Sequence, residues 1–278
     1  MKALVSVIIR TCNRPDVLKQ ALDSVRRQSY ENIEIIVVED GINLSEEIIK
    51  KYFSDLDIKY FSTGRKVGRT KTGNYGMGKA AGKYINFLDD DDIFMEDHIE
   101  TLVNVLEHSQ CKAAYSVAEE CQIAVRGANP YRTIEKRKLI RFNQPFNRTL
   151  LYHINYFPIQ SVMFRRELYE EMGGFDEELD VLEDWDLWVR YSLLTDFVYV
   201  DKVTSQYRVI FQRSKKVDRD RKFHDALKDL NRKFEKYDIK VNVGQVNKDM
   251  DYIVKRYKTG RLKRYLRLAV DFLVYGER

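Results

Sequence analysis

Four consecutive aspartates, Asp89-Asp90-Asp91-Asp92, follow the apolar run Tyr84–Leu88. Adjacent carboxylates repel one another, which costs stability unless a cation relieves it. An all-oxygen cluster suits a hard divalent ion, Mg2+ or Mn2+, and Mg2+ is typically held by one or two carboxylates together with substrate phosphates. The plainer reading is a solvated turn, or acidic charge at the start of the next helix, where the dipole favours it. Two further polar groups stand at the ends of apolar runs. They are Thr11-Cys12-Asn13 after Val5–Ile9 and Glu39-Asp40-Gly41 after Ile33–Val38. A fourth group, Glu183-Asp184, precedes Trp185 and Trp188, with Asp184 where a helix cap would stand. Tryptophans at that spacing are either core or a stacking face for a sugar.

These groups need elements to position them. Ile33–Val38 is nearly all apolar and β-branched, the pattern of a strand buried on both faces in a parallel sheet. Val5–Ile9, Ile58–Ser62 and Tyr84–Leu88 read as further strands. Val17, Leu18, Ala21, Leu22 and Val25 recur at helical spacing, with Asn13 as a cap and Pro15 in the first turn. Ile48–Phe53 and the face Ile99, Leu102, Val103, Leu106 read as helices. Between Gly64 and Gly82 the chain is punctuated by glycine. The first 110 residues therefore alternate βαβαβ, a doubly wound pattern whose ligands bind beyond the carboxyl ends of the strands. The three polar groups at strand ends should share one crevice.

Residues 111–210 are less regular. Ala113–Val117 and Ser161–Phe164 read as strands. Glu167–Met172 reads as a short helix ended by Gly173-Gly174, and Asp184–Leu194 as a helix. Gly127–Gln144 is polar and reads as a loop.

Several function classes are excluded. No G-x-G-x-x-G follows the first strand and no G-x-x-x-x-G-K-[ST] occurs, which argues against a dinucleotide dehydrogenase and a P-loop NTPase. With 44% hydrophobic and 12% aromatic residues, the chain is not of disordered composition. No apolar run approaches the roughly 20 residues of a membrane-spanning helix, and a secretory signal is not expected. Cys12, Cys111 and Cys121 make no metal-type spacing, which points to a reducing, cytoplasmic setting. Charge is uneven. Residues 206–278 hold 21 basic and 10 acidic side chains, a net +11, which leaves −6 for the first 205.

SVIIRTCNRP, the strand ending in EDG, the glycine-rich run and YINFLDDDD, in that order, resemble the nucleotide-sugar-binding half of family 2 glycosyltransferases. MGGFDEEL and LEDWDLW resemble the same family's acceptor half. The resemblance spans roughly residues 4–210. It implies an α/β protein of the GT-A fold, a Rossmann-like nucleotide-sugar-binding sheet (1–110) fused to an acceptor-binding and catalytic half (111–215). A basic helical C-terminal extension (216–278) would follow.

It also implies inverting transfer from a nucleotide sugar, a UDP-sugar first, to an acceptor hydroxyl. By resemblance, Asp40 accepts from the uracil N3–H, and Thr11, Asn13, Arg14 and Arg69 meet the nucleotide. Asp89 or Asp90 holds the ribose hydroxyls. Asp91, with Asp89, ligates Mn2+ or Mg2+ at the diphosphate, and Asp184 is the general base. Two positions depart from the family pattern. Cys12 stands where members often stack an aromatic residue on the base, and no histidine follows Gln206-Tyr207-Arg208. The Q-x-x-R-W signature of processive synthases is absent, so transfer of a single sugar is expected, in assembly of a bacterial surface glycan.

In the tail, 218–236 and 249–275 read as helical. Leu262, Tyr265, Leu266, Ala269 and Leu273 share one face, and Arg261, Lys263, Arg264 and Arg267 cluster at its beginning. Such a helix suits peripheral contact with the inner face of a membrane and a glycan or lipid-linked acceptor; packing on the body or a dimer contact are the alternatives. Two other functions fit the residues less well. A metal-dependent nucleotidyltransferase would normally carry a glycine-rich basic N-terminal signature that is missing. A non-catalytic nucleotide- or nucleic-acid-binding scaffold leaves the strand-end carboxylates unexplained, so nucleic acid is not an expected partner.

Overall fold

The computed structural model of the chain describes residues 2–128, 131–210, 226–238 and 242–258. Strands β1 (Val5–Thr11), β2 (Ile33–Glu39), β3 (Ile58–Ser62) and β4 (Tyr84–Asp89) run parallel in the order β3-β2-β1-β4. The same sheet continues through β8 (Val162–Arg165), antiparallel to β4, into β6 (Ala113–Ala128), β9 (Phe197–Ile210) and the two-residue β5 (Ile93–Phe94). One sheet therefore carries both halves of the molecule.

Alternation along each strand divides the core between the two faces. Val7 and Ile9 meet α1 (Pro15–Arg26) and α4 (His98–Glu107) through Leu18, Leu22, Ile99 and Leu102. Ile8 faces the other way, into a core with Met77 of α3 (Arg69–Lys79) and Trp188 of α7 (Glu183–Ser192). Each large aliphatic side chain buried this way is worth about 1.5–3 kcal/mol. Helices α2 (Glu46–Tyr52), α5 (Arg148–Leu151) and α6 (Arg166–Met172) are shorter.

The glycine-rich stretch, to which the sequence reading assigns no element, contains helix α3. Its glycines permit close packing: a Cβ on Gly73 would lie 2.5 Å from Phe175, and one on Gly76 2.5 Å from Ile8. The stretch 127–144, expected as a loop, holds strand β7 (Tyr131–Ile140), paired with Glu119–Ala128 of β6. Asn13 does not cap α1. The N-cap is Arg14, without a side-chain cap hydrogen bond, and Asn13 is in the left-handed region at φ 52°. In the tail, residues 226–234 form helix α8 and Val243–Lys258 form α9. The basic cluster Arg261, Lys263, Arg264, Arg267 lies outside the described residues.

Candidate active site

The carboxyl ends of β1, β2 and β4 open on a crevice of about 330 Å³ with Thr11, Cys12, Arg14, Asp40, Arg69 and Asp89–Asp91 in its wall. Arg10, Lys66, Gly68 and Thr72 complete the lining. That volume is within the range of small-molecule sites. Seven of the nine expected site residues thus meet in one place. Asn13 stands beside it, exposed, with its side chain packed on Gly41.

Asp40 organises the crevice wall. Its Oδ1 accepts from the Val67 N–H at 2.6 Å and its Oδ2 from the Gly68 N–H at 3.1 Å. Gly68 caps α3 at φ 101°, a conformation that favours glycine, and so brings the helix start, with Arg69, onto the crevice. Each carboxylate oxygen has a second lone pair, so Asp40 keeps acceptor capacity for a base N–H.

The four aspartates do not face one another unrelieved. Arg10 forks onto Asp89 through Nε (2.9 Å) and Nη2 (3.0 Å). Arg14 pairs with Asp90 and, at 3.2 Å, with Asp91, while Thr11 donates to Asp90 at 2.7 Å. Asp92 accepts from the Arg208 N–H at 3.0 Å. Burial pushes the Asp90 carboxyl up to about 7, against the pull of Arg14 and with Asp91 adding to the rise. Burial, then Asp91 and Asp89, raise Asp92 well above the usual carboxylate range. The repulsion expected from sequence is therefore met in large part by two guanidinium groups.

Whether the residues fit a divalent ion turns on the donors left at the surface. Asp89 and Asp91 are 29% and 32% exposed, whereas Asp90 is fully buried. Among the described residues no group of three or more His, Cys, Asp or Glu is placed to hold a metal. One or two oxygen ligands completed by substrate phosphates and water is a normal arrangement for Mg2+, so the set fits an ion that arrives with a phosphate-bearing ligand.

Asp184 lies in the first turn of α7. Its Oδ2 accepts from Asn155 Nδ2 at 3.0 Å and its Oδ1 from the Trp185 N–H at 2.8 Å. Burial and then the neighbouring Glu183 push its carboxyl up to about 7, against those two hydrogen bonds and Arg10. Glu183, 3% exposed, meets Arg10 Nη1 at 3.2 Å and Arg69 Nη1 at 3.6 Å. Both arginines line the crevice, so α7 begins beside it. The paired tryptophans are core. Trp188 is fully buried, and Trp185 donates to the Leu151 carbonyl at 2.6 Å and packs on Phe234.

Sequence reasoning missed Arg10, Lys66, Thr72 and Asn155. For Arg10 a signal existed, since a lone charge near the end of the apolar run VSVIIRT must be buried with a partner or not at all.

Residues 6–173 match the family described as glycosyl transferase family 2. An uncharacterized glycosyltransferase of Rickettsia typhi is 28% identical over 211 residues, 74% of this chain and 64% of that protein. The chain thus spans a little under two thirds of that relative's length, and a Rickettsia felis relative is matched over 31% of its own. Among solved structures, S. aureus TarS 1-349 in complex with UDP-GlcNAc superposes with TM-score 0.66 at 16% identity, over 95% of this chain and 75% of that one. A mannosyltransferase from Pyrobaculum calidifontis in complex with GDP-Man and Mn2+ gives TM-score 0.64 at 14% identity, over 100% and 82%. At these identities the likeness is one of fold.

Proposed function

Because this chain belongs to glycosyl transferase family 2 and has the GT-A fold, we propose that it transfers one sugar from a nucleotide sugar, a UDP-sugar first, to an acceptor hydroxyl with inversion. One observation carries the reading. The carboxylate beside Asp184 contacts two arginines of the crevice that the Asp89–Asp91 strand end also lines. This supports reading Asp184, beside the crevice, as the base and the acidic strand end as the part that meets the diphosphate.

In this reaction the acceptor oxygen attacks the anomeric carbon from the face opposite the diphosphate. The bond from that carbon to the phosphate oxygen breaks, and the nucleoside diphosphate leaves with the electron pair. The acceptor proton passes to the Asp184 carboxylate. A carboxyl held near 7 suits this task, and general-base help typically contributes about 10²–10⁴-fold. Asp40 accepts from the base N–H. Thr11, Asn13, Arg14 and Arg69 hold the nucleotide, with Asp89 or Asp90 on the ribose. Mn2+ or Mg2+ bound by Asp91 and Asp89 would supply Lewis-acid neutralisation of the leaving diphosphate.

The acceptor in this reading is a glycan or lipid-linked saccharide of a bacterial surface polymer. It would be met by residues 111–215, while residues 1–110 hold the donor. No described helix is long and apolar enough to cross a membrane. Contact with the cytoplasmic membrane face through the basic tail rests on its sequence pattern alone. Sedimentation with anionic liposomes, lost on deletion of residues 249–278, tests that contact.

The central test is calorimetric binding of UDP, GDP, TDP and CDP, each with and without Mn2+, followed by the anomeric configuration of the transfer product. Mn2+-dependent binding of one nucleotide and an inverted product are expected. No binding to any of the four, or a retained configuration, overturns the reading.

A further inference from the structure

Arg10 is the next-to-last residue of β1, and its side chain is only 6% exposed. A guanidinium is buried only when its donors are met, so its partners indicate its role. Nε and Nη2 form a two-pronged contact with Asp89, its register partner on β4. Nη1 reaches Glu183 at the start of α7, 173 residues away in sequence. The ring centres of Phe87 and Phe175 lie 5.5 and 5.4 Å from its Cζ. Gly73 leaves the space this packing needs, since a Cβ there would lie 3.5 Å from Arg10 Cδ and 2.5 Å from Phe175.

We propose that Arg10 is a positioning residue that fixes the acidic strand end and the Glu183-Asp184 pair relative to each other and sets the charge felt by the base. The proposal rests on the glycosyltransfer reading only for Asp184's role; the contacts stand by themselves. Among the described residues the charged groups around Asp184 are few. Glu183 precedes it on α7, Arg10 of β1 pairs with Glu183 and acts on Asp184 through its charge, and Arg69 of α3 reaches Glu183 from a side chain 57% exposed. Farther along α7, Asp186 is paired with Arg190 and Lys233. Asn155, its remaining partner, is neutral.

Opposite consequences follow for two substitutions. In Arg10→Gln, Glu183 keeps its charge and loses its buried cation, so Asp184 binds its proton more tightly. In Glu183→Gln, the negative neighbour is gone and Arg10 remains, so Asp184 releases its proton more readily. Arg10→Lys keeps a point charge but not the planar fork that spans two carboxylates. It should lower the rate while moving the profile less than glutamine does.

The experiment is the pH dependence of kcat/KM for the donor in the wild type and these three variants. The acid limb should move up by about one pH unit in Arg10→Gln and down in Glu183→Gln, the size expected of one nearby charge. The loss in Arg10→Gln should then be about fivefold at pH 7, nearing tenfold below pH 6, and very small at pH 9. A loss by the same factor at every pH, or shifts in the same direction, overturns the proposal, since a merely structural residue gives parallel profiles. Should Arg10→Gln fail to fold, Glu183→Gln against Arg10→Lys still tests the sign. Carboxyl 13C titration of Asp184 by NMR reads the same shifts without turnover. Absence of transfer in the wild type would therefore count against the function and not against this inference.

Discussion

The acidic strand end and the helix that carries Asp184 both bury carboxylates beside one crevice, but they are assembled by different means. Asp89 meets Arg10 because β1 and β4 are neighbours in register. Asp90 and Asp91 meet Arg14 from the turn that follows β1. Sheet order alone brings these groups together. Helix α7 is instead tied by separate threads. Asn155 holds Asp184, Leu151 receives Trp185 Nε1, Arg190 reaches the Met172 and Gly174 carbonyls, and Lys233 of α8 reaches Asp186. One half of the site is thus a product of topology and the other of side-chain contacts between distant segments. Arg10 joins the two.

The largest effect expected is on the helix side. Asp184→Asn should lower transfer by about 10²–10⁴-fold while nucleotide-sugar affinity changes little, because the crevice wall does not include Asp184. Stopped-time assays and calorimetry on the same preparation separate the two quantities. Full transfer by this variant would remove Asp184 from the mechanism. Wild-type kcat/KM should fall below about pH 7 as the Asp184 carboxyl takes up its proton and ceases to be a base.

On the strand side, Asp91→Asn should affect binding before rate. Nucleotide affinity in the presence of Mn2+ should weaken by at least about tenfold, as loss of metal-site groups commonly does, with affinity in EDTA unchanged. Equal losses with and without the ion would make Asp91 a nucleotide contact only. The strand end would then bind nucleotide without help from a metal.

The same contrast explains what could be read from the residues alone. β1, β2 and β4 are buried on both faces, so their apolar runs announce them, and the polar residues ending them fall into the crevice without further information. β7 gave no such sign. Its YRTIEKRKLI is mostly exposed and charged, as suits an edge strand that must resist pairing with another chain. α3 was hidden by glycines with poor helix propensity, retained because Phe175 and Ile8 leave no room for side chains there. The family motif pointed to Asp184, but not to Asn155 or Lys233, whose roles exist only once loops and tail have folded back. The aspartate cluster was legible as a site, yet its charge relief by Arg10 and Arg14 was not, because both lie some 80 residues earlier in the chain.

Side-chain contacts between distant segments should also be where stability is most exposed to single changes. Lys233 lies 2.7 Å from Asp186 and 2.6 Å from Asp176. Asp186 is fully buried, and removing one partner of a buried pair typically costs 3–5 kcal/mol. Arg190 remains on Asp186, so Lys233→Met should cost less, about 2 kcal/mol. Denaturant unfolding measures it. A neutral result would mean that α8 is not held to α7 by this pair.

The smallest effect has the most informative sign. Asp184 has a folded-state carboxyl near 7 and an ordinary unfolded one, so the folded protein binds the extra proton between about pH 4 and 7. Its contribution is therefore lost as pH rises through that window, and above pH 7 the ionised group is a burden on the fold. Among the described residues the buried Asn155 Oδ1 has no hydrogen-bond partner, so the pocket can accept a donating group. Asp184→Asn, nearly inactive, should then be the more stable protein at pH 8, by about 1 kcal/mol after allowance for solvent and for Arg10. The gap should narrow toward pH 5, where Asp184 is itself protonated. Thermal unfolding of both proteins across pH 5–8 measures it. A variant less stable than wild type at pH 8 would show that Asp184 serves the fold as well as the reaction. The helix side would then rest on its own carboxylate rather than only on the groups that hold it.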